Sequence, residues 1–172
     1  MKKTFIDLIL ESNIGPTQKA RLILIIRKRK PGAYIRVYKG NDSIELLSET
    51  LKKAGLFFVE VKPAIDVCAY SLAVGKNIEI ANGLKDAHLK NDYAKKGRLS
   101  GYPESAVIAY TLGSGLRSWD YPDDMKNNPL AFRFSKVGPK AEIELVRSWV
   151  EEIRNVAPDL FQEMYGHMME KA

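Results

Sequence analysis

Apolar positions along the chain recur at two spacings, three-to-four and two, and the switches between them mark out the elements. Phe5, Leu8 and Ile9 stand at helical spacing, and Asn13 and Gly15 stop that first turn. Pro16 suits the first position of a second helix. The aliphatic run Leu22–Ile26 fits either a buried helix or a buried strand. A helix continuing through Arg29 is the favoured reading, and a hairpin turning at Pro31-Gly32 is its rival. Tyr34 to Tyr38 is β-branched and aromatic in content and predicts a strand, broken by Gly40-Asn41. Asp42 and Glu45 have capping-box spacing. Ile44, Leu47, Leu51 and Ala54 then make one stripe, closed by Gly55 where a C-terminal cap belongs. Leu56–Val61 predicts a second strand ended by Pro63, and a third lies within Val67–Val74, ending at Gly75.

The second half is more helical. Residues 78–96 read as one long polar helix, weakened by Asn82-Gly83 and ended by Gly97. Pro103 opens a short helix over Glu104–Leu112, stopped by Gly113-Ser114-Gly115. Residues 117–129 carry three Asp, two Pro and two Asn and predict a long loop. Leu130–Phe134 suggests a short fourth strand. Pro139 begins the longest helix, with Ala141, Leu145, Trp149 and Ile153 recurring beside Val146 and Val150. Pro158 begins a last helix carrying Leu160, Phe161, Met164 and Met168. The order predicts an α/β fold: a small central sheet of three to four strands flanked by helices, with a helical C-terminal layer. Strand, helix and strand over residues 34–61 are compatible with a right-handed parallel crossover. No repeat or linker divides the chain, so residues 1–172 are expected to form a single domain.

Composition narrows the setting. At 172 residues, 45% hydrophobic and 28% charged, the chain can bury a core without a metal or disulfide staple. The single cysteine, Cys68, has apolar neighbours and no basic residue beside it, which predicts a structural thiol. With two His and one Cys, a closed zinc site is not expected. Asp7 and Glu11 interrupt what a secretory leader needs as an apolar run, and no aliphatic stretch approaches membrane-spanning length. A cytoplasmic location without membrane contact is expected. The net charge of +6 favours an anionic partner without choosing among nucleic acid, nucleotide and acidic lipid.

The most distinctive segment for chemistry is residues 95–105, which runs from a basic helix end through a glycine turn into a proline-started helix. Backbone N–H groups at such a helix start attract anions. Arg98 can grip a phosphate or carboxylate in two-point fashion, and Ser105 adds a hydroxyl. Gly101, Tyr102 and Glu104 complete the segment, with Glu104 opposing an anion there. The competing reading is a plain helix–turn–helix junction. The segment resembles an uncharacterised prokaryotic family whose members carry a Gly-Tyr-Pro-Glu-Cys-Cys motif after a basic, glycine-containing lead-in. Here Gly101-Tyr102-Pro103-Glu104 matches, while Ser105 and Ala106 stand in place of the two cysteines, so no metal or redox role carries over.

Trp119 and Tyr121, in the 117–129 loop, are candidate walls of the same pocket. Asp120, Asp123 and Asp124 are expected to form turns and caps rather than a magnesium site, and His88 and Asp92 to share a solvated hydrogen bond. No Gly-x-Ser-x-Gly elbow surrounds Ser105, which argues against a serine hydrolase. These features favour binding of an anionic small molecule, a nucleotide or phosphorylated metabolite, at the 98–105 turn. The alternative is a nucleic-acid-binding accessory protein using Arg27, Lys28, Arg29 and Lys30, with Tyr34, Arg36 and Tyr38 on the next strand. A structural or oligomeric partner protein is the third reading. No pattern specifies a reaction, a cofactor or a metal.

Overall fold

Thr4 and Asp7 set the first element. The Thr4 hydroxyl accepts from the Asp7 N–H while the Asp7 carboxylate accepts from the Thr4 N–H, a reciprocal cap that starts α1 (Phe5–Leu10). The computed structural model describes residues 3–38, 44–61 and 69–169. The expected Asp42 cap and Cys68 lie outside them. The chain divides into two compact units, Met1–Gly101 and Tyr102–Ala172.

In the first unit, Pro16 opens α2 (Pro16–Ile26), whose run Leu22–Ile25 is wholly buried. The helix stops three residues before the expected Arg29. Lys28 takes a left-handed conformation (φ 59°), the Lys28 N–H bonds to the Ile25 carbonyl, and the Arg29 N–H bonds to the Leu24 carbonyl. That is the glycine-type helix stop carried by a lysine, so composition does not reveal it. The strands are β1 (Gly32–Tyr38), β2 (Phe57–Val61) and β3 (Ala69–Gly75), with α3 (Ile44–Lys53) between the first two. Gly55 ends α3 as expected, in a left-handed conformation with the Leu56 N–H returned to the Leu51 carbonyl.

The sheet order is β1-β3-β2, antiparallel at both seams. β1 and β2 therefore run parallel, as the crossover reading requires, but β3 lies between them. Register places Ile35 opposite Leu72, and Tyr34 and Val59 on either side of Ala73. Directly paired residues share a face. One face presents Ala33, Ile35, Val37, Leu72 and Val74, all buried. The other presents Tyr34, Ala73 and Val61, which pack with Leu84, Ile80 and Leu99.

The approach of α4 (Ile78–Leu89) to that second face depends on a glycine pair. Gly32 and Gly75 face each other across β1 and β3, and a Cβ on either would lie 2.8 Å from Ile80 Cγ2. The long helix expected over residues 78–96 is in fact two. Asn91 (φ 53°) breaks it, Asp92 caps a new start by accepting from the Lys95 N–H, and α5 (Tyr93–Leu99) follows. Gly97 sits buried inside α5 and does not end it. Gly101 (φ 78°) does, and a side chain there would strike Pro31.

The second unit is helical: α6 (Glu104–Thr111), α7 (Pro139–Val156) and α8 (Pro158–Met169), with single 3₁₀ turns at Ser118–Asp120 and Asp123–Met125. Leu130–Phe134 is not a strand. Leu130 lies in a turn, residues 131–134 take no regular structure, and the Leu116 N–H bonds to the Phe134 carbonyl without a ladder. The alternating Phe132 and Phe134 serve an aromatic cluster instead. The buried stripe of α7 comprises Ile143, Val146, Trp149 and Ile153, rotated from the expected one so that Ala141 is exposed.

Candidate functional site

Of the residues expected to form an anion pocket, Arg98 lies exposed in the last turn of α5 and Gly101 closes that helix. Both belong to the first unit; Tyr102 and the residues after it belong to the second. There the aromatic candidates join a core. Tyr102 packs on Phe132 (centroids 4.8 Å apart), Phe132 on Phe134 (5.3 Å), and Phe134 on Tyr121 (4.7 Å), with Trp149 against both Tyr102 and Phe132. The Tyr121 hydroxyl bonds to the chain at Phe132 and Phe134. Tyr102 and Tyr121 are thus brought together by packing. Trp119 stands apart, 65% exposed, with the Arg117 guanidinium 5.0 Å over its ring. Glu104 is exposed at the start of α6.

Ser105 has a specific partner that sequence spacing did not reveal. Its hydroxyl donates to Oε1 of Glu142, 2.5 Å away, and Oε2 of the same carboxylate accepts from the Ser135 N–H at 2.6 Å. Glu142 is 1% exposed. A buried carboxyl group is tolerable only when it is hydrogen-bonded, and here each of its oxygens accepts one bond. Ser105→Ala removes one and is expected to lower stability by about 1.5–3 kcal/mol in denaturant titration, the range for a hydrogen bond to a charged group. A loss below a few tenths would mean the hydroxyl has no structural part.

The acidic loop makes surface ion pairs. Asp123 pairs with Lys126, whose hydrogen bond holds its carboxyl below the usual range, and Asp124 takes both Nε and Nη2 of Arg147. Among the described residues no three metal-ligating side chains gather. No helix of the described residues is long and apolar enough to cross a membrane.

The basic face divides. Arg27, Lys28 and Arg29 are exposed, Lys30 is only 5% exposed, and Arg36 projects from β1 to solvent. Burial, reinforced by the Arg21 charge, brings the Lys30 ammonium down to about 7. Tyr38 lies in β1, but its side chain falls outside the described positions. Tyr34 is covered: the His88 ring stacks on it with centroids 4.7 Å apart, and Lys96 Nζ lies 4.7 Å from its centroid. Its hydroxyl is buried without a partner, and burial pushes it well above the ordinary phenol range. His88 takes Lys96, whose Nζ is 3.5 Å from Nδ1, rather than the expected Asp92, which is committed to capping α5.

A concave site occurs elsewhere in the first unit. The turn between α1 and α2 and the end of β1 border a cleft of about 230 Å³ lined by Asn13, Gly15, Thr17, Gln18 and Arg36 together with the apolar Ile14, Pro16 and Val37. Gly15 has nothing within 4 Å of where a Cβ would stand. Oε1 of Gln18 is buried with no donor. Asn13, Thr17 and Gln18 were invisible as site residues because helix-start residues have the same composition whether or not a cleft opens beside them. Compared with family models, curated proteins and solved structures, the chain matches none.

Proposed function

We propose that the protein binds an anionic small molecule, and that the cleft between the α1–α2 turn and β1 is where it binds. The observation that carries this reading is a concave space of about 230 Å³ that has the cationic residue Arg36 among those lining it. Ligand sites are concave, with few but well-placed polar groups. The space is at the small end for such sites, which favours a compact phosphorylated or carboxylated metabolite over a dinucleotide. The start of α2 lends the positive end of its dipole. The His88 ring and Lys96 cover part of Tyr34, one of the aromatic residues on which the nucleic-acid reading draws.

Thermal shift against nucleotides, sugar phosphates, small carboxylates and short RNA, with and without magnesium, tests the assignment. A compact anion is expected to raise the melting temperature of the unaltered chain. Arg36→Ala is expected to weaken its binding by about 1.5–3 kcal/mol. Gly15→Leu, at a φ of −61° that any residue adopts, is expected to fill the cleft and abolish the shift. A shift that survives both substitutions rejects the cleft. If Arg98→Ala alone removes it, the site is the 98–105 turn. A response to RNA alone, lost at high salt, moves the function to Arg27–Arg29.

A further inference from the structure

The stack of Tyr34, His88 and Lys96 has an arrangement that a packing role leaves unexplained. Lys96 is half-buried, and its ammonium has no carboxylate partner among the described residues; its contacts are His88 Nδ1 at 3.5 Å and the Tyr34 ring. An ammonium beside Nδ1 requires the imidazole to hold its own proton on Nε2, leaving Nδ1 as an acceptor. We propose that Lys96 is a site of N-acylation by small acyl phosphates, with His88 as the group that receives the proton.

Each part of the step has its group. Once deprotonated, the Nζ lone pair attacks the carbonyl carbon of the acyl phosphate. The bond from that carbon to the phosphate oxygen breaks, and inorganic phosphate leaves with the electron pair. The proton shed by nitrogen passes to Nδ1 of His88 and on to solvent. The product is a neutral amide whose remaining N–H still faces Nδ1, so the α4–α5 contact keeps its hydrogen bond while the chain loses one positive charge. Burial lowers the basicity of Lys96, and burial together with the neighbouring Lys96 lowers that of His88. Lys30 has the more depressed amine but at 5% exposure no approach for the donor. Lys76 and Lys90 are exposed and, among the described residues, have no hydrogen bond to an imidazole.

Incubating the full chain with acetyl phosphate at mildly alkaline pH and following each lysine by peptide mass spectrometry tests this. Lys96 is expected to acylate at least about fivefold faster than Lys76 and Lys90, because His88 accepts the proton as the C–N bond forms. His88→Phe keeps a ring on Tyr34 while deleting the acceptor, and is expected to bring Lys96 down to the rate of Lys76. Equal rates for the three lysines in the unaltered chain overturn the proposal, and so does a fast Lys96 in His88→Phe. Should that variant fail to fold, the pH dependence in the unaltered chain decides. A Lys96 rate that levels off at lower pH than that of Lys76 supports the site, and parallel profiles overturn it.

Discussion

Trp149→Ala is expected to lower stability by about 3–5 kcal/mol, the usual cost of emptying a buried tryptophan site. Trp149 is 1% exposed and completes the cluster formed by Tyr102, Phe132, Phe134 and Tyr121. Truncation there both forfeits the transfer free energy of the indole and strands the rings of Tyr102 and Phe132 beside a cavity. The chain has only two tryptophans, so fluorescence can assign the effect. In Trp149→Ala the sole tryptophan emitter is Trp119, which is already 65% exposed and is expected to change little on unfolding. In Trp119→Phe the emitter is Trp149, and a large red shift should accompany denaturation at nearly unaltered stability. Trp149→Ala costing under about 1 kcal/mol would mean the cluster is not the core of the second unit.

The same cluster shows where sequence reading succeeds and where it does not. Trp149 was legible because it sits on a sustained helical stripe opened by Pro139, and long periodic segments over-determine their element. Leu130–Phe134 was not, because a two-residue alternation fits any extended chain whose alternate side chains are buried. A strand additionally needs a partner ladder, and the neighbouring residue 116 supplies one bond. Helix ends divide likewise. Gly55 announces its stop, whereas Lys28 and Asn91 adopt the same left-handed geometry without a glycine to signal it. The crossover over residues 34–61 was legible as strand, helix and strand, but strand order is set by which later segment fills the gap, and β3 fills it.

Candidate chemistry was less legible than fold, since each assembly depends on residues distant in sequence. Ser105 finds Glu142 thirty-seven positions later. Tyr34 finds His88 and Lys96 across a sheet face and a helix break that the sequence read as one continuous helix. Arg36 was singled out as a cation, but for a stacking face with Tyr34 rather than for the cleft that Asn13–Gln18 builds around it. Local features place anion-attracting groups. Concavity is a property of the tertiary contacts.

Lys30→Met is expected to stabilise the protein at neutral pH by roughly 2–4 kcal/mol, since each tenfold loss of proton affinity on folding costs about 1.36 kcal/mol. The side chain is 5% exposed, and burial together with the Arg21 charge lowers its ammonium from 10.5 to about 7. Because the folded form holds that proton less tightly than the unfolded chain, unfolding takes up a proton between about pH 7 and 10.5. Stability therefore rises with pH through that window, by up to about 1.4 kcal/mol for each step of one in pH. The penalty is complete below pH 7 and gone above 10.5. Methionine has a similar stem and no charge, so its advantage should be largest near pH 7 and shrink steadily as pH climbs towards 10. Denaturant midpoints of both chains at pH 7, 8, 9 and 10 measure this convergence directly. A constant gap across the series would mean that the methionine gains by packing alone and that Lys30 is not held away from its ordinary basicity. Convergence would show that the fold keeps a costly amine inside, next to Arg21, although a neutral side chain of the same shape would be more stable there.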